Sequence, residues 1–221
     1  MIHPRYRRDY SGELVITNTD VRRGIKQQRR EWIANPIVNQ HVSGRAAVIG
    51  SGIDQEQFDY TRLQRHRGGL QGRLRLQTYA SGDIWQHMRL DFYCSTHRPA
   101  LTKLQGTDYA DTTICYSTAR FCMMWPGKFF LIPFQPPVYD LAAAAYLAAF
   151  DGHREIFMLG YNQDTPGNTR SWQQDVTAVL DAYHAHQFYF IGAASNMPAI
   201  WRDRPNAEFW DYRRFISHCD V

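Results

Sequence analysis

The chain has 221 residues, 44% of them hydrophobic and 21% charged, with a formal net charge of +4. This balance suits one packed α/β domain with an appendage and excludes a disordered or fibrous chain. No apolar run approaches the roughly 20 residues that cross a bilayer, so no membrane span is expected.

The start, MIHPRYRRDY, lacks the apolar stretch of a secretory leader. The expectation is a cytoplasmic protein. A compact chain of this kind would also suit a phage, which would place it in the host cytoplasm. The four cysteines, Cys94, Cys115, Cys122 and Cys219, form no CxxC pair and no zinc spacing. Reduced thiols are expected.

Residues 1–43 read as a basic N-terminal extension. Eight Lys and Arg crowd the first thirty residues against Asp9, Glu13 and Asp20. GELVIT predicts one short strand. Val21 to Ile33 predicts a charged helix with Asp20 as its cap, ended by Asn35-Pro36. A basic arm of this kind suits a polyanion such as nucleic acid, a protein partner or a subunit contact.

Residues 44–221 read as the main domain. Ala46 to Ile49 is a short apolar strand closed by Gly50-Ser51-Gly52, a pattern open to either a tight structural turn or a phosphate loop. Strands are predicted at Gly72–Tyr79, Leu90–Cys94, Thr112–Tyr116, Phe129–Phe134, Glu155–Leu159 and Phe188–Ile191. The strand at 90–94 runs into the polar stretch Ser95, Thr96, His97. Leu141–Phe150 predicts an alanine-rich helix and Trp172–Ala185 an amphipathic one. The tail from Trp201 should pack back on the domain. Short apolar strands alternating with helices predict an α/β fold, a mostly parallel sheet with helices on both faces.

In open α/β sheets, ligands bind beyond the carboxyl ends of the strands. The cluster Gly160, Tyr161, Asn162, Gln163, Asp164 therefore draws attention first. Asp164 suits a base, a ribose ligand or a turn former. Tyr161 suits a ligand contact or a packed loop aromatic. His97, at a strand end on the same side, is the best-placed histidine for a general base, its plainer role being a surface loop residue. Arg170 suits a bidentate phosphate contact or an ordinary surface arginine. No metal constellation, Walker A sequence or GxSxG occurs.

Several segments, taken in order, resemble the glycosyltransferase family 42 sialyltransferases and the related DUF115 group. They are Gly50-Ser51-Gly52 followed by Phe58-Asp59-Tyr60-Thr61-Arg62-Leu63, then Arg75-Leu76-Gln77-Thr78-Tyr79, and Val138-Tyr139 with the alanine helix leading to Arg154-Glu155-Ile156-Phe157-Met158-Leu159-Gly160. The resemblance spans about residues 45–195 and implies a Rossmann-like nucleotide-sugar domain. It implies nucleotide contacts from Gly50, Ser51, Gly52, Gln77, Thr96, Tyr139, Gly160, Tyr161, Asn162 and Arg170. It also implies a metal-independent transfer, with a nucleotide sugar as donor and no tightly bound cofactor. The chain departs from the family downstream. Thr169-Arg170-Ser171 stands where the family's catalytic His would fall, and the lid is cut back. His97 and Asp164 are the substitutes for that base. The departures raise a second expectation: an inactive relative serving as a binding or assembly module. Such a module would form a homo-oligomer or engage nucleic acid or protein through the basic arm. A pterin pyrophosphokinase-type activity, known in the wider group, ranks third because no metal-binding carboxylate set is visible.

Overall fold

The computed structural model describes residues 12–22, 25–34, 44–50, 52, 58–66, 76–133, 140–161 and 172–221. Eight strands form one sheet: β3 (Arg45–Ile49), β4 (Leu76–Ala80), β5 (Phe92–Cys94), β6 (Ile114–Ser117), β7 (Phe130–Leu131), β8 (Glu155–Leu159), β9 (Gln187–Ile191) and β10 (Ala207–Trp210). Every pairing in it is parallel, and the order is β10-β9-β8-β3-β4-β5-β6-β7. The fold is α/β and Rossmann-like, as the alternation of elements predicts.

The central strands are apolar throughout because both faces of the sheet are covered. Ala46, Val48, Ile156 and Met158 enter one core; Ala47, Ile49, Phe157 and Leu159 enter the other. The first core lies beneath α4 (Asp140–Phe150) and α5 (Trp172–Ala182). The second lies beneath α1 (Arg98–Gln105), α2 (Tyr109–Thr112), α3 (Ala119–Met124) and α6 (Tyr212–Cys219).

Helix α4 makes the long return from the β7 edge to the sheet centre. It packs on β3, β4, β5 and β8 and against α5. All ten residues from Leu141 to Phe150 are buried. A helix covered on every side has no polar face, which explains its lack of amphipathic pattern. Truncating a fully buried side chain here, such as Leu147, removes about 2–5 kcal/mol.

Several boundaries differ from the sequence expectation for identifiable reasons. Strand β7 stops at Leu131, and Pro133, lacking an N–H, cannot continue the ladder. Helix α5 ends at Ala182 so that the chain can turn into β9, where the Gln187 amide bonds the Arg154 carbonyl at 2.8 Å. Strand β4 begins at Leu76, residues 72–75 lying outside the described set. The tail does pack back. It adds β10 to the edge and places Phe215 of α6 against Phe157, ring centroids 5.2 Å apart.

The charged helix expected at Val21–Ile33 is not formed. Strand β1 (Gly12–Arg22) pairs antiparallel with β2 (Ile25–Ala34) in a separate two-stranded sheet. Asp20 is no cap; it lies in β1 opposite Gln27. The continuous pairing of β1 with β2, from Gly12 opposite Ala34 to Arg22 opposite Ile25, takes these residues in place of a helix; residues 23 and 24 lie outside the described residues. All four cysteines are free and buried, as expected of structural thiols.

Candidate ligand crevice at the strand carboxyl ends

The strand order reverses once. From β3 the chain steps toward β7, returns through α4 to β8, and then steps the other way to β10. The switch point is therefore the gap between β3 and β8, the usual ligand position in such sheets.

Gly50 follows β3 there, and Gly160 follows β8. The Gly50 amide donates to the Leu159 carbonyl at 2.8 Å, and the Gly52 amide to the Gly160 carbonyl at 3.2 Å. A Cβ built on Gly50 would lie 2.6 Å from Leu141 Cδ2 and 2.8 Å from the Gly160 oxygen. Gly50 is thus required by the close approach of three chain segments. Gly160 has φ 74, a left-handed conformation in which glycine is unstrained. Both described amides of the glycine turn are engaged by the end of β8.

Beside the switch point, the first turn of α4 meets the loop after β5. Asp140 Oδ1 accepts from the Thr96 amide at 2.8 Å, from Thr96 Oγ1 at 3.1 Å and from Ser95 Oγ at 3.2 Å. Ser95 Oγ in turn accepts from the His97 amide at 3.1 Å. Ser117 Oγ, at the end of β6, donates to the Ser95 carbonyl at 2.8 Å. Asp140 has φ 34, rare outside glycine and worth about 1–3 kcal/mol of strain. The surrounding bonds hold it in place. Asp140 Oδ2 has no hydrogen-bond partner among the described residues and remains a free acceptor. His97 is exposed and directly precedes α1. Thr96 and His97 therefore lie on the ligand side of the sheet, as their position after a strand suggests.

Tyr161 is fully buried and donates to the Leu141 carbonyl at 2.7 Å, its ring edge-on to Trp172. Burial holds its phenol well above the ordinary value. Of the two roles open in the sequence, the structure gives it the packed one: it fastens α4 to the end of β8. Gln77 is not brought to the crevice. It is the second residue of β4, opposite Ala46, near the amino end of the sheet and fully buried. Ser51, Tyr139, Asn162, Asp164 and Arg170 lie outside the described residues.

A second polar group lies inside the first core. Tyr79 Oη donates to Asp151 Oδ2 at 2.8 Å and lies 2.9 Å from His153 Nε2. All three side chains are buried, and burial pushes the Asp151 carboxyl well above its ordinary value. Asp151 and His153 belong to the turn after α4, which reads in sequence as an ordinary polar loop. Only the passage of α4 over the sheet centre buries it. Asp140 was also missed, because its partners Ser95 and Thr96 lie some 45 residues away and no local signal links them. Among the described residues no group of three His, Cys, Asp or Glu could hold a metal ion. No helix among them is long and apolar enough to cross a membrane.

Compared with known proteins, the chain matches no family model, no curated protein and no solved structure. The resemblance to the sialyltransferase group therefore rests on the ordered motifs alone.

Proposed function

We propose that the chain binds a nucleotide-activated sugar in the crevice at the β3/β8 switch point and transfers the sugar to an acceptor. The observation that carries this reading is the convergence of the switch point, the first turn of α4 and the loop after β5 on one side of the sheet. An unpartnered carboxylate oxygen on Asp140 suits a ribose or sugar hydroxyl. His97, exposed in the same loop after β5, suits a base that takes a proton from an acceptor hydroxyl. The proposed donor is a metal-independent substrate rather than a resident cofactor.

Calorimetry and thermal shift with CMP-, UDP- and GDP-linked sugars test this. Ligand at 100 times its Kd should stabilise the fold by about 2.7 kcal/mol. Asp140→Asn and His97→Ala then separate binding from transfer: the first weakens affinity, the second slows turnover of bound donor. A full nucleotide panel without a shift would sink the proposal.

One observation favours a second reading, a non-catalytic binding or assembly module. Both described amides of the glycine turn already serve β8, so neither is free to cradle a phosphate. A module of this kind gives no shift with any nucleotide and instead binds a partner, or a second copy, through the basic arm.

A further inference from the structure

The large sheet ends at β10, which is bonded to β9 on one side and to no described strand on the other. Two hydrogen bonds fix the direction of its backbone groups. The Asn206 carbonyl accepts from the Phe188 amide at 2.9 Å, and the Trp210 carbonyl from the Gly192 amide at 3.1 Å. Residues 206, 208 and 210 therefore face β9. Alternation turns Ala207 and Phe209 outward, and Asp211 follows them because its backbone is still extended, with φ -75 and ψ 165. The Ala207 amide is taken by the Arg204 carbonyl at 3.2 Å. The Phe209 amide and carbonyl, the Ala207 carbonyl and the Asp211 amide have no hydrogen-bond partner among the described residues.

The side chains along this edge carry both charge and apolar surface. Glu208 and Trp210 lie on the α6 face of the sheet. There the exposed Arg214 donates to Glu208 at 2.8 Å and stacks its guanidinium 4.0 Å from the centre of the Trp210 ring. On the other face Phe209 is half-buried against the first core. A hollow of about 560 Å³ lies beside it, with Met197, Ala207 and Phe209 in its wall.

We infer that two copies of the chain pair through β10, antiparallel about a two-fold axis at Phe209. An unpaired strand edge is a template for another strand, and a two-fold dimer closes on itself. The register selects the axis, because outward residues must oppose outward residues for bonds to form. With Phe209 opposite its counterpart, the two residues exchange both amide bonds. Each Asp211 amide then donates to the other copy's Ala207 carbonyl, and every free group on the edge is used. The same register sets each Glu208 opposite the other copy's Trp210, and so against the Arg214 that covers it. Opposite charges across such a pair attract. An axis at Glu208 would instead set two carboxylates face to face, which is unfavourable. An axis at Ala207 needs an amide already given to Arg204, and one at Trp210 leaves the Ala207 carbonyl unused. Antiparallel pairing points the two crevices in opposite directions, so the inference does not depend on a nucleotide entering either.

Sedimentation of the full chain at concentrations up to about 100 μM reads the assembly directly, and a dimer is expected. E208R makes the charges at the axis all cationic and R214E makes them all anionic. Each alone should weaken dimerisation about tenfold or more. Mixed one to one, the two variants should form a heterodimer, because each then meets opposite charge across the axis. A purely internal role for the Glu208–Arg214 pair gives no such rescue. F209C brings two thiols together across the axis, with Cα atoms about 5.5 Å apart, and should form an intermolecular disulfide on mild oxidation. A207C, which opposes Asp211 rather than itself, should not. Thermal unfolding of each variant shows that it is folded. A wild-type chain that stays monomeric at the highest concentration would overturn the inference. So would a mixture of E208R and R214E that stays monomeric, or crosslinking of A207C as efficient as that of F209C. Nucleotide-induced thermal shifts, measured on E208R, report on the crevice separately.

Discussion

Replacing Gly50 by alanine probes the switch point most directly. The new methyl would lie 2.6 Å from Leu141 Cδ2 and 2.8 Å from the Gly160 oxygen. Leu141 can yield by a change of rotamer. The Gly160 carbonyl cannot, because it accepts from the Gly52 amide and ends a strand bonded on both sides. Overpacking of this kind costs about 1–3 kcal/mol. Alanine also restricts the unfolded chain, which returns about 0.4–1 kcal/mol. The net expectation is a loss of about 1 kcal/mol, or a drop in Tm of roughly 2–4 °C for a domain of this size. Urea unfolding measures it. Because the rigid clash is with backbone, Leu141→Ala in the same chain should relieve little, with a coupling below about 1 kcal/mol. Full rescue by Leu141→Ala would move the clash to the side chain. An unchanged stability would refute the crowding argument altogether.

Three further outcomes are expected. Asp151→Asn should change the pH dependence of stability. The folded pKa of Asp151 is raised by burial above the ordinary 3.8, so the folded state holds this proton more tightly than the unfolded state. The stability it contributes is complete below that value and is lost as pH rises toward the folded pKa. Urea titrations across pH 4–8 should show the wild type losing ground to the asparagine variant by up to about 1.4 kcal/mol per pH unit inside that window, and parallel profiles would contradict it. Tyr161→Phe removes the donor to the buried Leu141 carbonyl and should cost about 1–3 kcal/mol by chemical denaturation. Asp211→Ala removes the cap on α6, whose Oδ1 accepts from the Arg214 amide at 2.7 Å, and should cost about 1 kcal/mol; no change would show that α6 is held by Phe215 alone.

The sheet was legible because its central strands are covered on both faces and so must be apolar without interruption. Glu155–Leu159 needed no other signal, and the helix Leu141–Phe150 followed from alanine content and length. Gly50 and Gly160 were visible as glycines after strands, yet their purpose was not. Whether an amide at such a turn faces a ligand or a neighbouring strand depends on strand order, which is tertiary. Gln77 shows the same limit. Its motif neighbours fit a nucleotide contact, while register with Ala46 puts it at the amino end of the sheet under α4. The N-terminal helix was misread because charge suggested a solvated face. The pairing of β2 with β1 decided otherwise.

The first turn of α4 is held from three directions, and the balance of terms there bears on what the crevice can do. The Leu141 side chain closes against Gly50, where a Cβ would lie 2.6 Å from its Cδ2. The Tyr161 phenol holds the Leu141 carbonyl, and Asp140 binds the Ser95–Thr96 loop. The strain at Asp140 is about 1–3 kcal/mol. A hydrogen bond to a charged group contributes about 1.5–3 kcal/mol, and Asp140 Oδ1 receives three. The cluster is therefore favourable without any ligand, and its geometry does not wait on binding. A donor entering the switch point would meet an acceptor already in position, which lowers the ordering cost of association.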